Sequence, residues 1–514
     1  MIERLTNAID ELEEARRRIM EWTSAHGEWF YSHAGVSPPV ALGKNEFDFR
    51  VSPGRLIFSC WTERGTLVWR VVGWEWAGDK LRLEVTRRMG AERAVLELIP
   101  RASISVTRSV VSAARRQNCE RMARLACAQA HGAKLLRARL SPGARRGEPG
   151  RYARILLRLP LERIAVMGTV AESDRQETDA FLSAALLWFM PMAESAPKPG
   201  IRKLWLIVQK DCVAAVAERV TLLNDHLRRA ITLYEIDEGW QKITPVPRLE
   251  RAKLWEKGLA PFRSVPSQTK TSEHGERICA LAPDAIDVVR SRHGETLRFH
   301  GLPFARVRRV MSREHVWFGI EGSRRLLLDE STEQDWIKLL SELKEHRRAQ
   351  ARDRQHALYR ALPEAWLESM LRRDITRLDP GLRLAPLHAQ FRASQGAGAP
   401  SARPVDLLAL RRDGRLVVLE LKVSEDRQHV LQGADYWRQV EAHRRRGHIA
   451  RARLFNDAQI VDEPPLVYLV APTLRFHRSF YRLVQAVDPE IEIYRFDINE
   501  DWRAGVRVMR RVVI

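Results

Sequence analysis

Cysteine is scarce and unpatterned in this chain. Five residues (Cys60, Cys119, Cys127, Cys212 and Cys279) are scattered over 514 positions, with no CxxC pair and no HExxH partner. That argues against a disulfide framework and against structural zinc. The thiols read instead as small buried hydrophobes of a reducing cytosol, which predicts a cytoplasmic location. No run of about 18 uncharged apolar residues occurs, so no membrane span is expected. The opening stretch "MIERLTNAIDELEEARRRIMEW" lacks the apolar core of a secretion signal; Ile2, Leu5, Ile9, Leu12 and Ile19 mark one face of an amphipathic helix. A Walker A loop is missing too, since "ALGKNEF" around Gly43 and Lys44 has neither the first glycine nor the Ser/Thr, and no nucleotide-driven motor is encoded. No local motif supports Ser-His-Asp or Cys-His catalysis. "HRRRGH" at 443–448 reads as a phosphate-contacting or solvated helix end.

What the chain has in excess is positive charge. Lys and Arg number 86 against 65 Asp and Glu, a net charge of +21 and a pI near 10.3. Such a field attracts polyanions, of which nucleic acid is the commonest. The length exceeds the ~250–300 residues at which single cores stop growing, so several domains are expected.

Internal repetition organises them. The segment "RPVDLLALRRDGRLVVLELKVSEDRQ" (403–428) aligns without a gap on "RYARILLRLPLERIAVMGTVAESDRQ" (151–176) at an offset of 252. Seven of the 26 positions are identical: Arg151/Arg403, Leu156/Leu408, Arg163/Arg415, Val166/Val418 and the closing Asp-Arg-Gln. Each segment follows a Gly/Pro/Arg/Ser loop and precedes a strand, a helix and a strand. Turn-punctuated β-sequence lies upstream in both halves. The expected organisation is an N-terminal helix (1–27), a β-rich module (28–110), an α/β module (111–245), a linker (246–280), a second β-rich module (281–345) and a second α/β module (346–514). Trp61, Trp69, Trp74 and Trp76, set among Arg64 and Arg70, either stack nucleotides or fill a small β-core.

The second segment reads as a central hairpin. A three-residue loop, Arg412-Asp413-Gly414, with glycine in the left-handed position pairs Arg411 with Arg415, and so Asp406 with Glu420. Lys422 shares their face. Leu408, Leu410, Leu416 and Val418 make the rest of that face apolar; Leu407, Ala409, Val417, Leu419 and Leu421 form the other. Two adjacent buried carboxylates repel unless a cation compensates, and oxygen donors suit Mg²⁺ or Mn²⁺. On the helix that follows, Gln432 and Tyr436 share one face at i, i+4.

Asp406…Glu420-Leu421-Lys422 followed by Gln432-x3-Tyr436 resembles the PD-(D/E)xK nuclease superfamily. The Gln-x3-Tyr element is similar to that of RecB-type nuclease domains, and "VDLLALRRDGRLVVLELK" with the preceding "LESMLRRDI" is most like the NucS-like endonuclease group. The resemblance spans about 155 residues, from roughly 358 onward. It implies an α/β fold (α+β for the whole chain) with a restriction-endonuclease-like mixed sheet flanked by helices. It also implies a Mg²⁺- or Mn²⁺-dependent phosphodiesterase acting on DNA, or on RNA. Asp406 and Glu420 would hold the metal, completed by Glu368 or, one turn earlier, Glu364. Lys422 would assist the water, and Gln432 and Tyr436 would lie beside the site. Val405 stands where the family has a proline that is not a ligand. A single site cuts one strand at a time, so double-strand cleavage would need a homodimer, a repair or defence complex, or two nicks. The rival expectation is a nucleic-acid-binding or scaffold protein carrying a vestigial site.

In the gapless alignment Asp406 meets Arg154, Glu420 meets Gly168 and Lys422 meets Val170. No metal site can be assembled from those three. The first α/β module is therefore expected to be a degenerate copy that grips DNA or pairs with the active copy as an internal pseudo-dimer.

Overall fold

The computed structural model describes residues 2–514 except 25–27, 34–39, 44–45, 63–64, 78–79, 88–91, 101–103, 144–148, 171–177, 196–199, 238, 257–258, 260–270, 292–293, 311–312, 321–324, 386–405 and 457. The chain is a mixed α/β protein, α+β overall. It divides into two compact units: 1–173 with 198–210 and 234–245, and 174–197 with 211–233 and 246–514. No helix among the described residues is long and apolar enough to cross a membrane.

The first unit opens with an eight-stranded antiparallel sheet drawn from residues 3–100. Two-residue alternation builds it: the strand Lys80–Arg87 buries Leu81, Leu83 and Val85 and leaves the residues between them half-exposed. Helix α1 (Ile9–Ser24) lays Leu12, Ala15 and Ile19 into the same core. Trp69 and Trp74 are buried there, with Trp76 packed against it. Arg87 and Arg18 cover the Trp69 and Trp74 rings at 4.4 and 4.8 Å. The rings of Trp69 and Trp74 thus fill a β-core and are closed to a nucleotide.

Helix α2 (Ile104–Gln129) leads into a mixed sheet of β1 (Lys134–Pro142), β2 (Pro149–Arg158), β3 (Arg163–Thr169), β4 (Ile201–Gln209), β5 (Ile231–Ile236) and β6 (Ile243–Pro245), ordered as numbered. Pairs β1–β2 and β2–β3 are antiparallel, β3–β4 is parallel and β5–β6 is antiparallel. The chain between these strands forms α3 (Thr178–Ser195), α4 (Lys210–Val220) and α5 (Asp225–Ala230).

In the second unit, after α6 (Arg251–Glu256), a five-stranded antiparallel meander over 286–327 packs with α7 (Glu333–His346) around Leu297, Phe304 and Trp336. Then come α8 (Pro363–Arg373), β7 (Leu382–Leu384), β8 (Leu407–Arg411), β9 (Leu416–Leu421), α9 (His429–Arg445), β10 (Leu466–Pro472), α10 (Phe480–Ala486), β11 (Ile493–Ile498) and β12 (Val508–Val513). These strands also lie side by side in chain order. Here β7–β8 and β8–β9 are antiparallel, β9–β10 and β10–β11 parallel, and β11–β12 antiparallel.

One buried cation fixes where α8 begins. The Arg347 guanidinium donates to the carbonyls of Phe299 (2.9 Å), His300 (2.8 Å), Leu358 (2.7 Å) and Ala361 (2.7 Å) and covers the Trp366 ring at 4.7 Å. Burial pushes its pKa down to about 9. Five chain positions are thereby tied to one side chain just before the helix that carries Glu364 and Glu368.

Helices α3, α4 and α5 belong to the second unit, where α3 packs on α9 and α10. Arg219 of α4 bridges Asp179 of α3 (3.1 Å) and Asp435 of α9 (2.7 Å). Backbone bonds from Asn224 to Ala486 and from Asp488 to Leu222 strengthen this junction.

Candidate active site

The β8–β9 hairpin takes the register that its loop demands. The Arg411 N–H donates to the Arg415 carbonyl at 2.9 Å, Gly414 has φ of 83°, and Leu407, Leu408, Ala409 and Leu410 face Leu419, Val418, Val417 and Leu416. One step further along, Asp406 stands opposite Glu420, and the Leu421 N–H donates to Asp406 Oδ2 at 2.9 Å. Both faces are covered. Leu407, Ala409, Val417, Leu419 and Leu421 pack with Trp366, Leu367 and Leu371 of α8; Leu408, Leu410, Leu416 and Val418 pack with Tyr436 and Val440 of α9. Asp406, Glu420 and Lys422 continue the second set, where the sheet ends and the apolar cover stops.

Glu420 is 1% exposed. Its Oε1 accepts from Lys422 Nζ at 2.7 Å, while its Oε2 is buried with no hydrogen-bond partner. Asp426 Oδ2 lies 3.8 Å from the same ammonium. Burial raises the Glu420 pKa against the opposing pull of Lys422, and Glu364 pushes the same way as burial. Burial and then Glu420 raise Asp406 well above the ordinary carboxylate range. For Lys422 burial opposes the charged form, but Glu420, Glu364 and Asp406 outweigh it and hold the ammonium above the usual lysine range. Lys422 is therefore protonated here. It can orient and neutralise, but it cannot accept a proton while this pairing lasts.

On α9, His429 Nε2 lies 3.2 Å from the Glu420 carbonyl, and burial pushes its pKa down to about 3, so it stays neutral. One face of the helix then carries Gln432 and Tyr436. Tyr436 lies in the apolar cluster with Leu408 and Val418, and Gln432 lies one turn earlier on the helix. Its Oε1 is buried without a hydrogen-bond partner. Tyr436 is part of the apolar wall with Leu408 and Val418.

The two glutamates of α8 differ in situation. Glu368 Oε1 accepts from Arg372 Nε at 2.7 Å and lies 3.7 Å from Arg298, and Arg372 also donates to the Asp406 carbonyl at 3.0 Å. Its carboxylate pairs with these arginines, and its charge also acts on Asp406. Glu364 is half-buried, and its charge acts on both Glu420 and Lys422. Among the described residues no group of three or more His, Cys, Asp or Glu side chains is gathered to hold a metal. The donors brought together are Asp406 and Glu420, with the charge of Glu368 acting on Asp406 and that of Glu364 on Glu420. An oxygen-only set is the donor chemistry that suits a hard divalent cation, and the Lys422 ammonium pairs with Glu420. Sequence reasoning missed His429 and Arg372; His429 lies three residues before Gln432, on the same helical face, and so was within reach of the period.

The first hairpin corrects the gapless alignment. There Arg158 pairs with Arg163 across a four-residue loop (159–162), so Arg154 faces Met167. The first arm keeps its faces: Ile155 and Leu157 pack towards α2 as Leu407 and Ala409 do towards α8. The second arm is turned over. Val166 packs with Met122 of α2, while Val418, its alignment partner, packs with α9. The one-residue difference in loop length sends every side chain of that arm to the opposite face. The positions that correspond to Asp406, Glu420 and Lys422 are Arg154, Met167 and Thr169, not Arg154, Gly168 and Val170. A Cβ on Gly168 would meet the Met122 side chain at 2.3 Å, so that glycine makes room for α2. The aligned residues 174–176, like Val405, lie outside the described residues.

No family model, no curated protein and no solved structure matches this chain.

Proposed function

We propose that the chain is a divalent-metal-dependent nuclease acting on DNA, with one active site on the β8–β9 hairpin. The observation that carries this reading is the pairing of Asp406 with Glu420 beside Lys422, with a buried Glu420 oxygen left unpartnered. Nothing in the fold needs these charges: in the first hairpin the matching positions hold Arg154, Met167 and Thr169. Asp406 and Glu420 would hold Mg²⁺ or Mn²⁺, which when bound polarises the scissile phosphate and acidifies water. Glu368, whose charge acts on Asp406, or Glu364, whose charge acts on Glu420, would extend the donor set. Lys422, kept protonated by its acidic neighbours, would release Glu420 and turn its charge to the phosphate or the attacking water. Gln432 would orient the same water or a phosphate oxygen, and Tyr436 would support it from behind.

The module over 346–514 is read as a restriction-endonuclease-like domain, and the chain as a tandem duplication. The two mixed sheets support this, since each has its strands in chain order with two antiparallel pairs, then a parallel pair, and ends on an antiparallel one. The packing of α3 on α9 and α10 suits an internal pseudo-dimer.

The test uses the full chain on single-stranded, duplex and branched DNA and on RNA, with Mg²⁺ or Mn²⁺. Cleavage of DNA is expected, reduced by about 10²-fold or more in Asp406→Ala and Glu420→Gln. If the wild type leaves every substrate intact in both metals, or if Asp406→Ala cuts as fast as the wild type, the reading fails.

A further inference from the structure

The sheet face that is apolar and helix-covered in the second module carries a run of cations in the first, along the edge strand β1 and at the hairpin end of β2 and β3, while Ala165 and Met167 further along β3 are buried. The register of β1, β2 and β3 sets Lys134 beside Arg158 and Arg158 beside Arg163. Further along it sets Arg137 beside Leu156, and Arg139 beside Arg154. All of these point away from α2, because their neighbours Ile155, Leu157, Ile164 and Val166 fill the core on the α2 side. Six cations on three adjacent strands thus share one face. Lys134, Arg137, Arg139 and Arg158 are exposed; Arg154 and Arg163 are half-buried. In the second module the corresponding face carries Leu408, Leu410, Leu416 and Val418 under Tyr436 and Val440.

Like charges directly opposite each other on paired strands destabilise a sheet. Here the pairs Lys134/Arg158, Arg158/Arg163 and Arg139/Arg154 repeat that arrangement. Lys134, Arg137, Arg139, Arg158 and Arg163 form no ion pair with any described residue, although elsewhere the chain pairs its arginines freely, as at Arg16–Glu13, Arg87–Glu92 and Arg444–Glu441. The nearby acid Glu162 is taken by Lys203 at 2.6 Å. For Lys134/Arg158 and Arg158/Arg163, an intramolecular counter-charge among the described residues is therefore lacking where it is most needed. The cations form a lattice spaced about 5 Å across the strands and about 7 Å along them. That is a surface for a row of phosphates rather than for one anion.

We infer that the cations along β1 and at the hairpin end of β2 and β3 form a docking surface for a nucleic-acid phosphate backbone, so that the first module holds the polymer electrostatically and without reading its sequence. Naming nucleic acid as the polyanion rests on the nuclease reading above; the basic face itself does not. Arginine and lysine side chains on phosphates position a duplex or strand and carry no base information, so binding should be insensitive to sequence and steep in salt.

The experiment compares the full-length wild type with Arg137→Glu/Arg139→Glu/Arg158→Glu and with the matching triple Gln variant. Affinity for labelled DNA and RNA oligonucleotides is measured by fluorescence anisotropy in EDTA over a salt series. All three substituted side chains are exposed, and circular dichroism should show both variants folded. The Glu variant should bind at least tenfold more weakly at low salt, with the Gln variant between. The slope of log K against log salt should shrink by about 0.7–0.9 for each phosphate that is no longer neutralised. Unchanged affinity and slope in both variants overturns the inference. So does a wild type that binds no nucleic acid, or one whose charge-dependent binding is to anionic lipid vesicles and not to oligonucleotides. Cleavage separates the two readings. An Asp406→Ala protein that neither cuts nor loses binding leaves this surface standing; a Glu triple variant that cuts and binds like the wild type removes the surface and leaves the active site.

Discussion

Asp406 and Glu420 lie where a metal-free protein is worst served by them. Burial and mutual repulsion raise Asp406, so the folded chain keeps a proton that the unfolded chain gives up near the ordinary carboxylate pKa. The folded state then binds more protons than the unfolded one, and stability falls as pH rises from about 4 towards the raised value. Without metal at pH 7, Asp406→Asn should therefore be more stable than the wild type, by roughly 1–3 kcal/mol, with the difference closing below about pH 4. Denaturant unfolding across pH in EDTA measures this, and a less stable variant at pH 7 would contradict it. Mg²⁺ should stabilise the wild type and not the variant. Tyr436 gives the opposite kind of forecast. Its ring is in the core with Leu408 and Val418, so Tyr436→Ala should cost about 3–5 kcal/mol whatever it does to cleavage. Tyr436→Phe should keep the packing, and a large loss of cleavage in it would show that the hydroxyl, rather than the wall, matters.

Among the elements, the junction of α3, α4 and α9 depends on charge. Burial opposes the charge of Asp435, but Arg219 and Arg438 outweigh it and hold its pKa below the ordinary range. Removing Arg219 leaves Asp179 and Asp435 buried without that partner, and Arg219→Ala should cost about 3–5 kcal/mol in chemical denaturation. Because Asp435 is depressed, its contribution is present above the ordinary aspartate pKa near 4 and is lost as pH falls through its lower folded value. Gly168 makes a steric claim of the same scale. Gly168→Ala drives a methyl into Met122, and Met122→Ala should recover much of the loss. Additive damage in that double-mutant cycle would mean that the two do not touch. The second hairpin was legible in the sequence because Asp-Gly marks its loop and strict alternation fixes its faces. The first was not: Leu159-Pro160-Leu161-Glu162 names no turn type, so nothing in the string revealed the additional loop residue. Nor could local pattern find Arg219–Asp435, whose partners lie 216 residues apart.

For the molecule as a whole, the compact units do not follow the order of the chain. Helices α3, α4 and α5 precede residue 246, yet they are grouped with the unit that contains 246–514. A fragment starting at 246 would lose Arg219 from Asp435 and bare the face of α9 and α10 that α3 covers. It should unfold at lower denaturant than the same residues within the full chain and should aggregate; equal midpoints would argue that those helices are dispensable. The basic excess was legible from composition, but its concentration on one sheet face was not, because that needed the pairing of three strands. The two hairpins also differ by a single residue of loop, three at 412–414 against four at 159–162, and that difference sets which way an arm faces. Sheet parity therefore behaves like a reading frame. A one-residue slip of the second arm against the first would leave Asp406, Glu420 and Lys422 all encoded, and would turn the last two towards α8. On the nuclease reading such a slip alone would discard the chemistry, so in a related gene the three letters are diagnostic only together with the pairing register of the two strands.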